Sequence, residues 1–182
     1  MKLNAPVYRD EMPDPLIMGH FVPWFTCDDP KGFSVPEQYT SDIIQPELER
    51  WRHWRNSRSE YSRTHLYQPM YGEYDSRDPV IIRQQIHDAV SYGLNGFIIN
   101  INGKNSVENM FGLCLLEEIK AYNKAHPDKP FLYIISFDSK AQSPTEGKIP
   151  VSIEEDFSYL RDVWLTDAWV RNGDKPVLMI FA

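Results

Sequence analysis

At 182 residues, with 42% apolar and 13% aromatic side chains, the chain can build one domain with a proper core and is too apolar for a disordered segment. Its formal net charge of −7 disfavours a nucleic-acid backbone or an anionic membrane surface as partner, because both are held by clustered Lys and Arg. Two cysteines, Cys27 and Cys114, lie far apart and in no metal-like spacing, so neither a zinc site nor a disulfide framework is suggested and both are expected as free thiols.

The N-terminal residues 1–15 lack the apolar run of roughly 7–15 residues that a secretory signal needs, and no run approaches the ~20 residues of a membrane span. As written, the chain is expected to stay in the cytoplasm, with a secreted parent protein as the alternative. Residues 16–25, LIMGHFVPWF, form an apolar run of strand length that is broken at Pro23, where a ladder donor is lost. An excursion over residues 26–77 follows. It is too long for a bare connection, so it is either a binding loop or carries a helix, for which Pro46 to Arg58 is the expected segment. Within it Arg50, Arg52, Arg55, Arg58 and Arg63 alternate with Trp51, Trp54, Glu49 and Glu60, the pattern of a solvated helix face, with RNA binding as the alternative.

Asp78-Pro79 reads as an N-cap with Pro at the first helical position, followed by Ile82, Ile86, Ala89 and Val90 on one stripe and Gly93 as the stop. GFIINI, residues 96–101, lacks clean alternation, as expected for a strand buried on both faces. Ser106 can cap a helix running to about Ala125 whose apolar residues cover more than one stripe. FLYIISFD, residues 131–138, is the third strand and ends on an acidic residue. Ser152 and Glu155 form a capping box for a third helix, with Phe157, Leu160 and Trp164 at helical spacing and Gly173 past its end. Lys175-Pro176 then leads into a fourth strand, VLMIFA.

This alternation argues an α/β fold with a parallel sheet. Two architectures compete, an open doubly wound sheet and the first four βα units of a (β/α)₈ TIM barrel, which in full takes roughly 250 residues. No glycine-rich phosphate turn follows the first strand, and the chain ends within its last strand, so residues 1–182 are expected to be one partial barrel domain with the long β1–α1 excursion inside it.

In parallel α/β folds sites gather at the carboxyl ends of strands. That rule selects His20 and Trp24 on the first strand, Asn100 and Asn102 after the second, Asp138 after the third, and Tyr71, Tyr74 and Asp75 at the end of the excursion. Aromatic faces beside Asp, Asn and His suit a carbohydrate, whose rings offer C–H faces for stacking and hydroxyls for hydrogen bonds. Each residue also has a structural reading. Trp24, Trp51 and Trp54 can anchor the long loop to the barrel rim, Asp75 can satisfy free backbone donors in the turn before the helix, and His20 can be a satisfied core histidine. Glycoside hydrolysis needs two carboxyl groups about 5–9.5 Å apart, and Asp75 and Asp138 are the weak candidates for that pair. No Gly-x-Ser-x-Gly elbow, no His-Glu-x-x-His helix and no other metal-ligand pattern is present, so neither metal nor cofactor is expected.

The first strand ending in Pro23-Trp24-Phe25, the Trp-rich loop, Gly72-Glu73-Tyr74-Asp75-Ser76 with Asp78, and Gly93-Leu94-Asn95-Gly96-Phe97 together resemble a known family. From about Leu16 to Ala182 the chain looks like the N-terminal half of the endo-α-mannosidase-like barrels, glycoside hydrolase family 99 and its relatives in family 71. The resemblance implies a (β/α)₈ barrel, endo-acting hydrolysis of α-linked polysaccharides or glycans, and no metal in catalysis. It also implies that the family's catalytic glutamates, three residues apart, follow a strand beyond the fourth, and this chain contains no Glu-x-x-Glu. Relatives tend to carry a tryptophan where Ile99-Asn100-Ile101-Asn102 stands. The expected function is therefore that of a glycoside-hydrolase-like protein lacking the catalytic glutamates, with a carbohydrate ligand and the missing C-terminal half of the barrel as partners. The rival is a non-catalytic carbohydrate-binding or scaffold domain.

Overall fold

The computed structural model describes residues 15–25, 70, 72, 74–138 and 152–181. The expected helix at Pro46 to Arg58, the arginine cluster, Trp51, Trp54, Cys27 and Tyr71 lie outside them.

Strand β1 is Met18–Phe21, shorter than the apolar run because the chain turns at Pro23. The Trp24 amide bonds Val22 O at 3.1 Å in place of a ladder partner. Helix α1, Pro79–Ser91, begins as its sequence dictates: the Asp78 carboxylate accepts from the Val80 amide, Pro79 has no N–H and so needs no acceptor, and Ile82, Ile86 and Ala89 are buried. Gly93 ends it with φ of 85°, a conformation that costs glycine little. Strand β2 is Gly96–Ile101, helix α2 is Val107–Ala125 with Ser106 Oγ accepting from the Asn109 amide, and strand β3 is Leu132–Asp138.

The third helical segment departs from expectation. Helix α3 covers only Ile153–Tyr159 and then widens into a π-helical turn, Leu160–Trp164. The Trp164 carbonyl, beyond the helical ladder, accepts from the Tyr133 hydroxyl, while its indole Nε1 donates to Asn109 Oδ1 at 2.9 Å. Phe157, expected on the buried stripe, is 36% exposed and meets Phe137 edge-on, whereas Asp156 beside it is buried. Only half of the capping box forms at this end. Ser152 Oγ accepts from the Glu155 amide, and the Glu155 carboxylate instead pairs with Lys104. Gly173 does not end a helix. It sits with φ of 65° in the turn of a hairpin between β4, Arg171–Asn172, and β5, Lys175–Pro176.

That hairpin interrupts the fourth sheet position. Residues 168–170 run beside Tyr133, through Tyr133 N to Ala168 O and Val170 N to Tyr133 O, both 2.9 Å. Val177 N then bonds Val170 O across the hairpin base, and β6, Leu178–Phe181, continues along β3.

The sheet order is β1-β2-β3-β6, all parallel and in chain order. A doubly wound sheet reverses its order at a switch point and carries helices on both faces. Here the described helices share one face. Ile82 and Ile86 of α1, Leu115, Leu116 and Ile119 of α2, and Leu160 and Trp164 of the π-helical turn pack with Phe97, Ile99, Ile101, Tyr133, Ile135 and Phe137. The opposite face carries Leu132, Ile134 and Val170 with Met18, Ile98 and Val177, and no helical residue. Helices outside and a bare face inside are the arrangement of a partial (β/α)₈ barrel.

Candidate functional site at the strand ends

Period-two alternation decides which predicted residues share a surface. His20 is registered with Ile98, and Ile98 with Ile134, both on the helix-free face. Two residues further on, Asn100 is level with Ser136 and Met179, and Asp138 with Phe181. His20, Asn100, Ser136 and Asp138 therefore occupy that face towards the carboxyl ends of three successive strands. Asn102 joins them, accepting a hydrogen bond on Oδ1 from Asn100 Nδ2 at 3.1 Å. His20 is exposed, which corrects its reading as a core histidine.

The aromatic members gather beside β1. A cleft of about 440 Å³ is lined by His20, Trp24, Phe25, Tyr74, Gln85 and Phe97, among others. Its walls interlock edge-on: Phe25 meets Trp24 at 6.4 Å and Tyr74 at 5.7 Å between ring centroids. Burial raises the Tyr74 phenol above its usual range, partly offset by the Gln85 side-chain hydrogen bond, so it stays a neutral donor at neutral pH. His20 both lies on the helix-free face and lines the cleft, joining the two groups of residues.

Phe25, one of the residues lining the cleft, also takes part in a clasp. Phe25 and Ser76 exchange two hydrogen bonds, Ser76 N to Phe25 O at 2.8 Å and Phe25 N to Ser76 Oγ at 3.0 Å. The two ends of the excursion thus meet although 51 positions separate them.

Asp75 is placed differently from the other candidates. It is 2% exposed, and Arg77 occupies both of its oxygens: backbone N and Nε on Oδ1 at 2.9 and 2.8 Å, Nη2 on Oδ2 at 2.6 Å. The guanidinium lies 4.7 Å over the Phe111 ring of α2. Asp75 is not among the cleft-lining residues, and its geometry is that of a buried ion pair bracing the turn into α1. Cys114 lies nearby, its thiol pushed up to about 12 by burial.

Sequence reasoning passed over Arg77, Gln85, Ser136, Asn109 and Asp156. Ser136 was findable, since it stands two residues before Asp138 on the same strand. The others depend on contacts between elements that no local pattern announces. Among the described residues no group of three His, Cys, Asp or Glu side chains could hold a metal ion, and no described helix is long and apolar enough to cross a membrane.

No family model and no curated protein matches the chain. Solved structures do. The GH99 endo-α-mannosidase from Bacteroides thetaiotaomicron in complex with bis-tris-propane is 19% identical with a TM-score of 0.58, over 93% of this chain and 42% of that one. A second structure of the GH99 endo-α-mannosidase from that organism is 18% identical with a TM-score of 0.58, over 93% of this chain and 45% of its own. The chain thus spans less than half the length of these structures, and what it shares with them is their fold, part of a GH99-type (β/α)₈ barrel.

Proposed function

We propose that this chain is the ligand-facing N-terminal part of a glycoside-hydrolase-like barrel acting on α-linked glycans, with residues 1–182 forming one partial domain around the 26–77 excursion. Trp24, Tyr71 and Tyr74 provide stacking surface, and His20, Asn100, Asn102 and Asp138 provide hydrogen bonds to sugar hydroxyls. The observation that carries this reading is the convergence of His20, Asn100, Asn102 and Asp138 on one helix-free face at the strand ends, contiguous through His20 with the aromatic cleft. Asp75 serves the site indirectly, through its ion pair with Arg77.

The solved neighbours are named for cleaving within α-mannosides, so α-mannan is the glycan of first choice. The 182 residues hold no Glu-x-x-Glu, and the catalytic pair belongs to further βα units of a longer protein. Exposed Met179 and Ile180 on β6 offer those units an apolar edge. The chain alone accordingly binds without hydrolysing.

Affinity electrophoresis through gels containing α-mannan, with β-mannan as control, tests this. Retardation by the α-linked polymer alone is expected, and Trp24→Ala or Asn100→Ala should weaken it by about tenfold, equivalent to ~1.4 kcal/mol. Unchanged mobility in every α-glycan would remove the reading.

A further inference from the structure

The loop between β2 and α2, residues 102–106, is held from outside by two buried side chains on different helices. Asp156 of α3, 1% exposed, accepts the Lys104 backbone N–H at 2.7 Å. Asn109 of α2, 3% exposed, donates from Nδ2 to the Lys104 carbonyl at 2.8 Å. Both backbone groups of one loop residue are thereby taken up by side chains. A residue so held has little freedom to shift along or across the loop.

The grip is itself fixed. Asn109 Nδ2 also donates to the Tyr159 hydroxyl at 2.9 Å, and Asn109 Oδ1 accepts from the fully buried Trp164 indole at 2.9 Å, so the amide cannot rotate without breaking three bonds. Glu155 pairs with Lys104 Nζ, adding a third tie to the same residue. Gly103, with φ of 103°, supplies the backbone conformation that lets the chain leave β2 and present Lys104 to these partners. Directly before Gly103 stands Asn102, whose side chain is bonded to Asn100 on the helix-free face.

We infer that Asp156 and Asn109 are positioning residues, which fix Lys104 and through it set where the Asn100–Asn102 pair stands on the ligand face. The inference rests on the reading of that face as carbohydrate-binding. A network that only packed α3 against α2 would not need to grip a loop backbone at both its donor and its acceptor.

The test uses the intact chain in α-mannan affinity electrophoresis, with thermal melts run in parallel. Asn102→Ala and Asp156→Ala are each expected to weaken binding about tenfold, and the double variant no further than the weaker single one, because coupled residues are not additive. Asp156→Asn should recover most of the affinity, since its amide oxygen still accepts from Lys104. If Asn102→Ala binds like the parent, the carbohydrate reading of the face itself fails. If Asn102→Ala weakens binding while Asp156→Ala does not, or if the two losses add, the positioning role is overturned. Should Asp156→Ala not fold, amide exchange of Lys104 in the parent chain decides: slow exchange is expected, and exchange at the rate of a free loop amide overturns the proposal.

Discussion

Asp75 illustrates how two readings of a single residue are separated by burial and partners. From the sequence it could finish a turn or meet a ligand, and both uses suit a carboxylate beside Ser76 at the end of a loop. The ion pair with Arg77, whose side chains are 1% and 8% exposed, assigns it to the turn. Removing one partner of such a pair leaves the other charge buried and unsatisfied, so Asp75→Ala is expected to cost about 3–5 kcal/mol in urea unfolding. A loss below ~1 kcal/mol would mean that Arg77 escapes to solvent. The caps at Asp78 and Ser106, by contrast, were legible in full, because a cap is made by residues two or three positions apart. Asp156 was not legible, since its partner, the Lys104 amide, lies 52 positions away.

Whole elements were readable where neighbouring local signals agreed. Helix α1 stands at the expected residues because stripe, cap and stop agree, α2 because Ser106 caps a long apolar segment, and β2 because its short apolar run suits a strand buried on both faces. The third helical segment was misjudged where signals conflicted: Phe157, Leu160 and Trp164 keep helical spacing, yet the backbone widens at Leu160. Gly173-Asp174, with glycine first, carried a hairpin signal that was read as a helix stop, although a two-residue turn between Asn172 and Lys175 fits it better. The strands show how tightly sequence is constrained by pairing. A Cβ on Gly96 would stand 2.0 Å from the Leu132 carbonyl oxygen, a backbone atom that cannot move without parting β2 from β3. Gly96→Ala is expected to destabilise by about 3 kcal/mol. Gly112→Ala should cost less, because its Cβ would meet the Trp164 ring at 2.9 Å rather than backbone. Denaturant midpoints of the two variants check the order, and a Gly96→Ala protein as stable as the parent would contradict the β2–β3 register.

At the scale of the molecule, fold class was legible from the alternation of strands and helices, and the choice of barrel over doubly wound sheet, expected from the missing glycine-rich turn after the first strand, is borne out by the structure. That outcome rests on strand order and on which face the helices cover, and both are properties of pairing between distant segments. The same packing sets the response to alkali. Burial raises the Tyr74, Tyr133 and Tyr159 phenols above their ordinary value of 10.0 and the Cys114 thiol from 9.0 to about 12. These acids are favoured in their neutral form by folding, so the stability they contribute is complete below the unfolded values and is lost as pH rises past them. Melting temperature should hold to about pH 9, fall beyond it and fall more steeply above 10, and Cys114→Ala should move the onset upward. Melts between pH 7 and 11 test this, and a flat profile to pH 11 would show that these groups ionise without opening the core.

The clasp between Phe25 and Ser76 has a consequence for how such a protein can change over generations. Because Phe25 and Ser76 tie the base of the excursion together, the two ends of the step from β1 to α1 are anchored to each other. The entropic penalty of a longer loop grows only logarithmically, by about 0.6 kcal/mol for each doubling of its length. Segments can therefore be lengthened, shortened or exchanged between these two anchors while the sheet keeps its register. The excursion is the place where a lineage can retune what reaches the cleft without reinventing the scaffold beneath it.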